Sequence, residues 1–320
     1  MKADLKLEQR PAGAPIPVAT HEIRGGGGVR LHTREWGRSD QPALLLIHGW
    51  SQSDLCWTKQ LSGELARDFR IVTFDLRGHG LSERPAAPDA YTDPQLWAED
   101  VAAVIEGTGL QRPVLVAWSY GGYVVTDYLR VFGDGAIAAI NLVGASVVLR
   151  PPGFDHHGPG ILENVGDACA PDLATNIAAM RRFLDACTRQ PLDEDESLMA
   201  LSWNMVVPPA VRGALLAREI DGSDALARMS VPVLVTHGKE DEIVLPSMAR
   251  HSLEVCASAT ASWYDGVGHM PFWEAPERFD RELREFADQA LGNPNSGLTR
   301  SSRKRGPGKG PLSLRMRCRG

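Results

Sequence analysis

The sequence predicts an α/β protein, with a mostly parallel central sheet, helices on both faces and a helical stretch inserted after the sixth strand. Three observations carry this. Short apolar runs such as ALLLI (43–47), RIVTF (70–74) and VLVA (114–117) are continuous rather than alternating, as strands covered on both faces must be. Between them lie stretches with helical apolar spacing, of which Leu96, Trp97, Val101, Val104 and Ile105 form one face. Strand and helix signals alternate, the pattern that builds parallel sheets through crossover connections.

In chain order, residues 1–20 read as an irregular leader that runs into a first strand, Ala19–Arg24. Four glycines (25–28) then make a turn to a second strand, 29–36, which alternates with period two. No Lys-Ser/Thr follows these glycines and no helix is predicted after them, so a hairpin turn is expected rather than a phosphate cradle. Strands follow at 43–47, 70–74, 113–117 and 137–143, with helices at 54–67 and 93–106. Alternation stops from 146 to 229. There Pro151-Pro152-Gly153, His156-His157 and Pro159 read as a linker, and 173–187, 194–205 and 209–220 as helices with no strand between them. Alternation resumes with strand 231–236, helix 246–256, strand 260–264 and helix 276–291. The expected organisation is a core of residues 1–145 and 230–291, a helical cap of 146–229, and a tail of 292–320.

The stretch most informative about chemistry is 114–122, VLVAWSYGG. A buried strand, a tight turn and a helix put Ser119 at the apex, its hydroxyl thrust outward and the helix-start amides facing the same point. Ala117-Trp118-Ser119-Tyr120-Gly121 has alanine where the nucleophile-elbow pattern G-x-S-x-G has its first glycine. The position needs only a small side chain. A serine hydroxyl needs a base in contact, and the base needs a partner to fix its tautomer. Two later strand ends supply candidates: HGKEDEIV (237–244), with an acid, and GHMPFW (268–273), with a histidine. Ser119, His48, Asp75, Asp241 and His269 all fall just after predicted strands, hence on one rim of the sheet, where such folds bind ligands.

Five blocks together resemble the α/β-hydrolase superfamily of the serine type: HGW (48–50), DLRGHGLS (75–82), AWSYGG (117–122), HGKEDEIV (237–244) and GHMPFWEAPERF (268–279). The resemblance spans about 29–291 and implies the α/β-hydrolase fold. It implies Ser119 as nucleophile, His269 as general base and acid, and Asp241 as orienting carboxylate. The backbone N–H groups of Trp50 and Tyr120 would form the oxyanion hole. His48 and His79 match motif histidines that fix loops, Asp75 reads as an anchor of its own loop, and His237 as structural. His156-His157 reads as part of a solvated loop. Trp50, Trp118 and Trp203 are candidates to line an apolar substrate pocket, whereas Trp57 reads as core.

Serine at the elbow argues against dehalogenase and epoxide-hydrolase chemistry, whose family members carry Asp there. The implied activity is hydrolysis of a carboxylic ester, lactone or thioester through an acyl-enzyme, on a small-molecule substrate and without a cofactor. The alternative is a cofactor-free haloperoxidase or perhydrolase, in which peroxide attacks the same intermediate; members usually carry Met where this chain has Tyr120. An alternative of another class is a non-catalytic small-molecule-binding protein on this scaffold.

Composition sets outer limits. The hydrophobic fraction of 43% is ordinary for a globular protein. Five scattered cysteines with no C-x-x-C pair argue against zinc ribbons and redox dithiols and fit reduced thiols in the cytoplasm. No metal site, secretory signal or membrane span is expected. The net charge of −6 hides an asymmetry: from Gly292 onward there are eight Lys or Arg and no acid, leaving 26 basic against 40 acidic residues, a body of about −14. The tail reads as disordered, and a nucleic-acid role for it as the lesser reading.

Overall fold

The computed structural model describes residues 15–150 and 155–292. The first part of the leader, Pro151-Pro152-Gly153 and the basic tail beyond Gly292 lie outside the described residues. Eight strands form one sheet in the order β1-β2-β4-β3-β5-β6-β9-β10. They are β1 (Ala19–Arg24), β2 (Arg30–Trp36), β3 (Ala43–Ile47), β4 (Arg70–Phe74), β5 (Val114–Trp118), β6 (Ala139–Val143), β9 (Val233–Gly238) and β10 (Ala259–Tyr264). β2 pairs antiparallel with β1 and β4, and every other pairing is parallel. The glycine turn expected at 25–28 closes the β1–β2 hairpin, with the Gly28 amide donating to the Gly25 carbonyl. All residues of β3, β5 and β6 are buried, so side chains pointing to either face meet cover.

Helices α1 (Pro94–Gly107) and α2 (Gly121–Phe132) pack together. The α1 start follows its sequence: Asp93 accepts the Gln95 amide as N-cap, and Pro94 occupies the first turn, where no donor is missed. Between β6 and β9 come α3 (Leu173–Cys187), α4 (Glu194–Met205) and α5 (Pro209–Leu216). Two-residue strands β7 (Val148–Leu149) and β8 (Ile220–Asp221) pair antiparallel across the ends of this stretch. Helix α6 (Pro246–Val255) packs on β9 and β10. Helix α7 (Pro276–Leu291) contacts β6 and the short helix Thr58–Ser62, and ends on Gly292 in the left-handed conformation.

Three expected elements differ. The helix at 54–67 breaks into a 3-10 turn, Asp54–Trp57, and short helices Thr58–Ser62 and Leu65–Asp68. Gly63 is extended between them, and a Cβ there would lie 3.1 Å from an Asp280 carboxylate oxygen. The helix at 209–220 stops at Leu216, because Arg218 turns inward to Asp127 and the chain then enters β8. The strand at 137–143 starts only at Ala139, since the Ile137 amide closes a turn onto the Asp134 carbonyl.

Candidate active site

β5 ends at Trp118 and α2 starts at Gly121, leaving Ser119 at the corner with φ +55°. A left-handed conformation costs a non-glycine residue roughly 1–2 kcal/mol and persists only where its surroundings hold it. Here the Ser119 amide donates to the Val143 carbonyl at 3.1 Å, and its own carbonyl accepts from the Gly122 and Ser146 amides at 3.0 Å each. The glycines after it are needed for close approach: a Cβ on Gly121 would lie 2.8 Å from the Ile47 carbonyl oxygen, and one on Gly122 2.4 Å from that of Ser146.

Asp241 and His269 follow β9 and β10, so they share the carboxyl rim of the sheet with Ser119. His269 Nδ1 lies 2.8 Å from Asp241 Oδ2. The other Asp241 oxygen accepts the Ile243 and Val244 amides, each at 2.9 Å. His269 is clamped through its backbone: its amide donates to the Cys187 carbonyl, and its carbonyl accepts the Trp118 indole N–H at 3.0 Å. Its Nε2 is buried with no hydrogen-bond partner among the described residues. Gly144, at φ +46°, fits against the pair: a Cβ there would lie 3.1 Å from His269 Nδ1 and 3.3 Å from Asp241 Oδ2. His237 stands behind, with Nε2 2.9 Å from the Val244 carbonyl and 3.4 Å from Asp241 Oδ2, and burial lowers its pKa.

The loop after β3 lies against the serine: a Cβ on Gly49 would come within 2.9 Å of Ser119 Cβ. Neither the Trp50 nor the Tyr120 amide donates a hydrogen bond within the described residues. The neighbouring histidines hold this rim. His48 Nε2 accepts the Leu76 amide and His79 Nε2 accepts the Ser51 amide. Burial pushes His48 down to about 4 and His79 well below its ordinary value, so both are neutral acceptors at pH 7. Asp75 receives the Asp54 and Leu81 amides, anchoring its loop. The Tyr120 ring is turned into the interior, where its hydroxyl donates to the Leu215 carbonyl and accepts from Arg218; burial pushes its pKa up to about 12.

A small cavity of about 30 Å³ adjoins Ser119, with Trp50, Tyr123, His157, Phe183 and Val244 among its walls. Trp50 is one of them. Trp118 and Trp203 are not. Trp118 points into the core against Trp57 and Phe272, its N–H spent on His269. Trp203 donates to Gln52 Oε1 and lines a separate open groove of about 720 Å³ with Trp36 and Trp273. Trp57 is core, as expected. The histidine pair differs from a solvated loop: His156 stacks on His251, and His157 Nε2 lies 3.1 Å from the Tyr123 hydroxyl in the cavity wall. Nothing in the Pro/Gly-rich local sequence signals that placement. Among the described residues no three His, Cys, Asp or Glu side chains gather as a metal would require, the four cysteines are free thiols, and no helix is long and apolar enough to cross a membrane.

Residues 44–282 match the model of the alpha/beta hydrolase family. The chain is 29% identical to a non-heme chloroperoxidase of Streptomyces lividans, over 81% of this chain and 96% of that protein. It is 28% identical to a bifunctional esterase/perhydrolase of Acinetobacter calcoaceticus, again over 81% and 96%. The crystal structure of an esterase from Rhodococcus sp. ECU1013 superposes with a TM-score of 0.80 at 35% identity, covering 85% of this chain and 99% of that one.

Proposed function

Because the chain belongs to the α/β hydrolase family, we propose that it hydrolyses small carboxylic esters or lactones through a Ser119–His269–Asp241 triad and an acyl-enzyme. The observation that carries this is the His269–Asp241 contact of 2.8 Å combined with a buried, unpartnered Nε2 beside the Ser119 elbow. A proton on Nδ1, directed at the carboxylate, leaves a lone pair on Nε2 to accept the serine proton. Ser119 Oγ then bonds to the acyl carbon, and the carbonyl oxygen becomes anionic. The free amides of Trp50 and Tyr120 suit that oxygen; such donors are worth about 3–4 kcal/mol each in the transition state. His269 returns the proton to the departing alcohol oxygen as the C–O bond breaks. Water repeats the sequence on the acyl-enzyme, giving the carboxylic acid and free serine.

The small, mostly apolar cavity favours a short acyl group. We read 146–229 as a cap that shields the acyl-enzyme. A second reading is favoured by the relatives named as a chloroperoxidase and a perhydrolase: hydrogen peroxide replaces water as the attacking nucleophile and a peracid leaves. p-Nitrophenyl esters of increasing chain length, with lactones alongside, test the first reading, and peroxide-dependent bromination in acetate buffer tests the second. A fluorophosphonate should label only the peptide that contains Ser119, and Ser119→Ala should abolish both labelling and turnover. Labelling elsewhere, or an active alanine variant, refutes the proposal.

A further inference from the structure

Three of the described arginines are deeply buried, and they differ. Arg77 meets Asp100 at 2.7 Å and Arg218 meets Asp127 at 2.5 Å. Arg212, on α5 and fully buried, makes no ion pair among the described residues. Its guanidinium donates only to neutral acceptors: Ser51 Oγ at 2.8 Å, the Ala168 carbonyl at 2.8 Å, Asn176 Oδ1 at 2.7 Å, the Asn204 carbonyl at 2.7 Å and, at 3.8 Å, Met205 Sδ. Burial pushes its pKa down to about 10, which leaves it a cation at neutral pH. A buried cation without a counter-ion is costly, and mere packing would be served better by an apolar side chain.

What Arg212 grips is the loop that carries a proposed oxyanion donor. Its backbone carbonyl accepts the Trp50 indole N–H at 3.1 Å, while its Nε holds the next residue, Ser51. Ser51 is one of three described non-glycine residues with positive φ, at +60°, alongside Arg112 and Ser119. Such a conformation must be imposed from outside. The His79 ring takes the Ser51 amide, and the Ser51 hydroxyl donates to the Asn204 carbonyl. The planar fork of Arg212 reaches Ser51 and that same Asn204 carbonyl, which fixes the hydroxyl in direction as well as distance.

We infer that Arg212 is a positioning residue: through Ser51 it holds the 49–51 loop in its left-handed turn and so aims the Trp50 amide at the oxyanion. This rests on the hydrolase reading above.

The test compares Arg212→Met, Arg212→Lys, Ser51→Ala and Ser51→Gly on p-nitrophenyl acetate, with an alkylboronic acid as a mimic of the tetrahedral anion. In R212M and S51A, kcat should fall by about tenfold or more and KM stay within about threefold, and boronate inhibition should weaken in step with kcat. R212K, which keeps the charge but not the fork, should fall between wild type and R212M. S51G should lose less than S51A, because glycine takes positive φ without help. An active wild type with S51A and R212M within about twofold of it, or a fall in kcat without any loss of boronate affinity, overturns the inference alone. If R212M does not fold, S51A and S51G decide the matter. A wild type inert toward every ester overturns the hydrolase reading and this inference together.

Discussion

Replacing Asp241 by Asn probes the tautomer of His269 with almost no change in shape. The outcome is set by two backbone amides. Asp241 Oδ1 accepts from Ile243 and Val244, both at 2.9 Å, so the carbonyl oxygen of an asparagine must take that place. Its NH₂ group is thereby forced into the position of Oδ2, facing His269 Nδ1 at 2.8 Å. Two donors cannot share that contact, so the imidazole must move its proton to Nε2 and can no longer accept one from Ser119. Loss of the reactive tautomer in a serine triad costs about 10⁴ in kcat, or about 5.5 kcal/mol of transition-state stabilisation. KM should stay within about threefold, since the change is felt only as charge develops. Steady-state hydrolysis of p-nitrophenyl acetate measures this, with circular dichroism to show that the variant is folded. A fall in kcat of less than about tenfold would refute the reasoning, because His269 would then not depend on Asp241 for its protonation state.

Other substitutions test the surroundings of the site. Gly144→Ala should reduce kcat by about 10²-fold by wedging a methyl group against the His269–Asp241 contact in a backbone conformation alanine resists, as read by ester hydrolysis. Asp100→Ala strands Arg77 in the interior and should lower the free energy of unfolding by about 3–5 kcal/mol in urea titrations. Asp280 supplies a pH test: burial raises its carboxyl from 3.8 to about 6. A folded-state pKa above the unfolded one means that stability is full below the lower value and is lost as pH rises through the higher. Asp280→Asn should therefore stabilise the protein by about 1–2 kcal/mol at pH 7, with the gain vanishing near pH ~4 in unfolding curves taken across that range.

The sheet was legible because its strands are buried on both faces. The apolar runs at 43–47, 70–74 and 114–117 match β3, β4 and β5 to within a residue. The rim was legible because strand order along the chain puts the turns after β5, β9 and β10 on one edge. Helix limits were less so: the periodicity at 54–67 is real, but Gly63 is extended beside Asp280, a contact 217 residues away in sequence. Aromatic residues were the weakest guide. Trp50 and Trp118 both flank the elbow in sequence, yet one faces the cavity and the other the core. Arg212 is the one charged side chain of the helix PAVRGALL, and a lone arginine there looks like surface, so no local pattern marked it as buried, and His157 reached the cavity only through the fold of a linker.

The short β7–β8 ladder has a consequence for how this protein could diversify. It holds the two feet of the intervening helices one ladder rung apart, about 5 Å. The sheet thus sees a single narrow doorway, whatever is built beyond it. A segment of different length or composition can be grafted at that doorway while β6 and β9 keep their register, provided that it again supplies a carbonyl to the His269 amide, as Cys187 does, and a grip on Ser51, as Arg212 does.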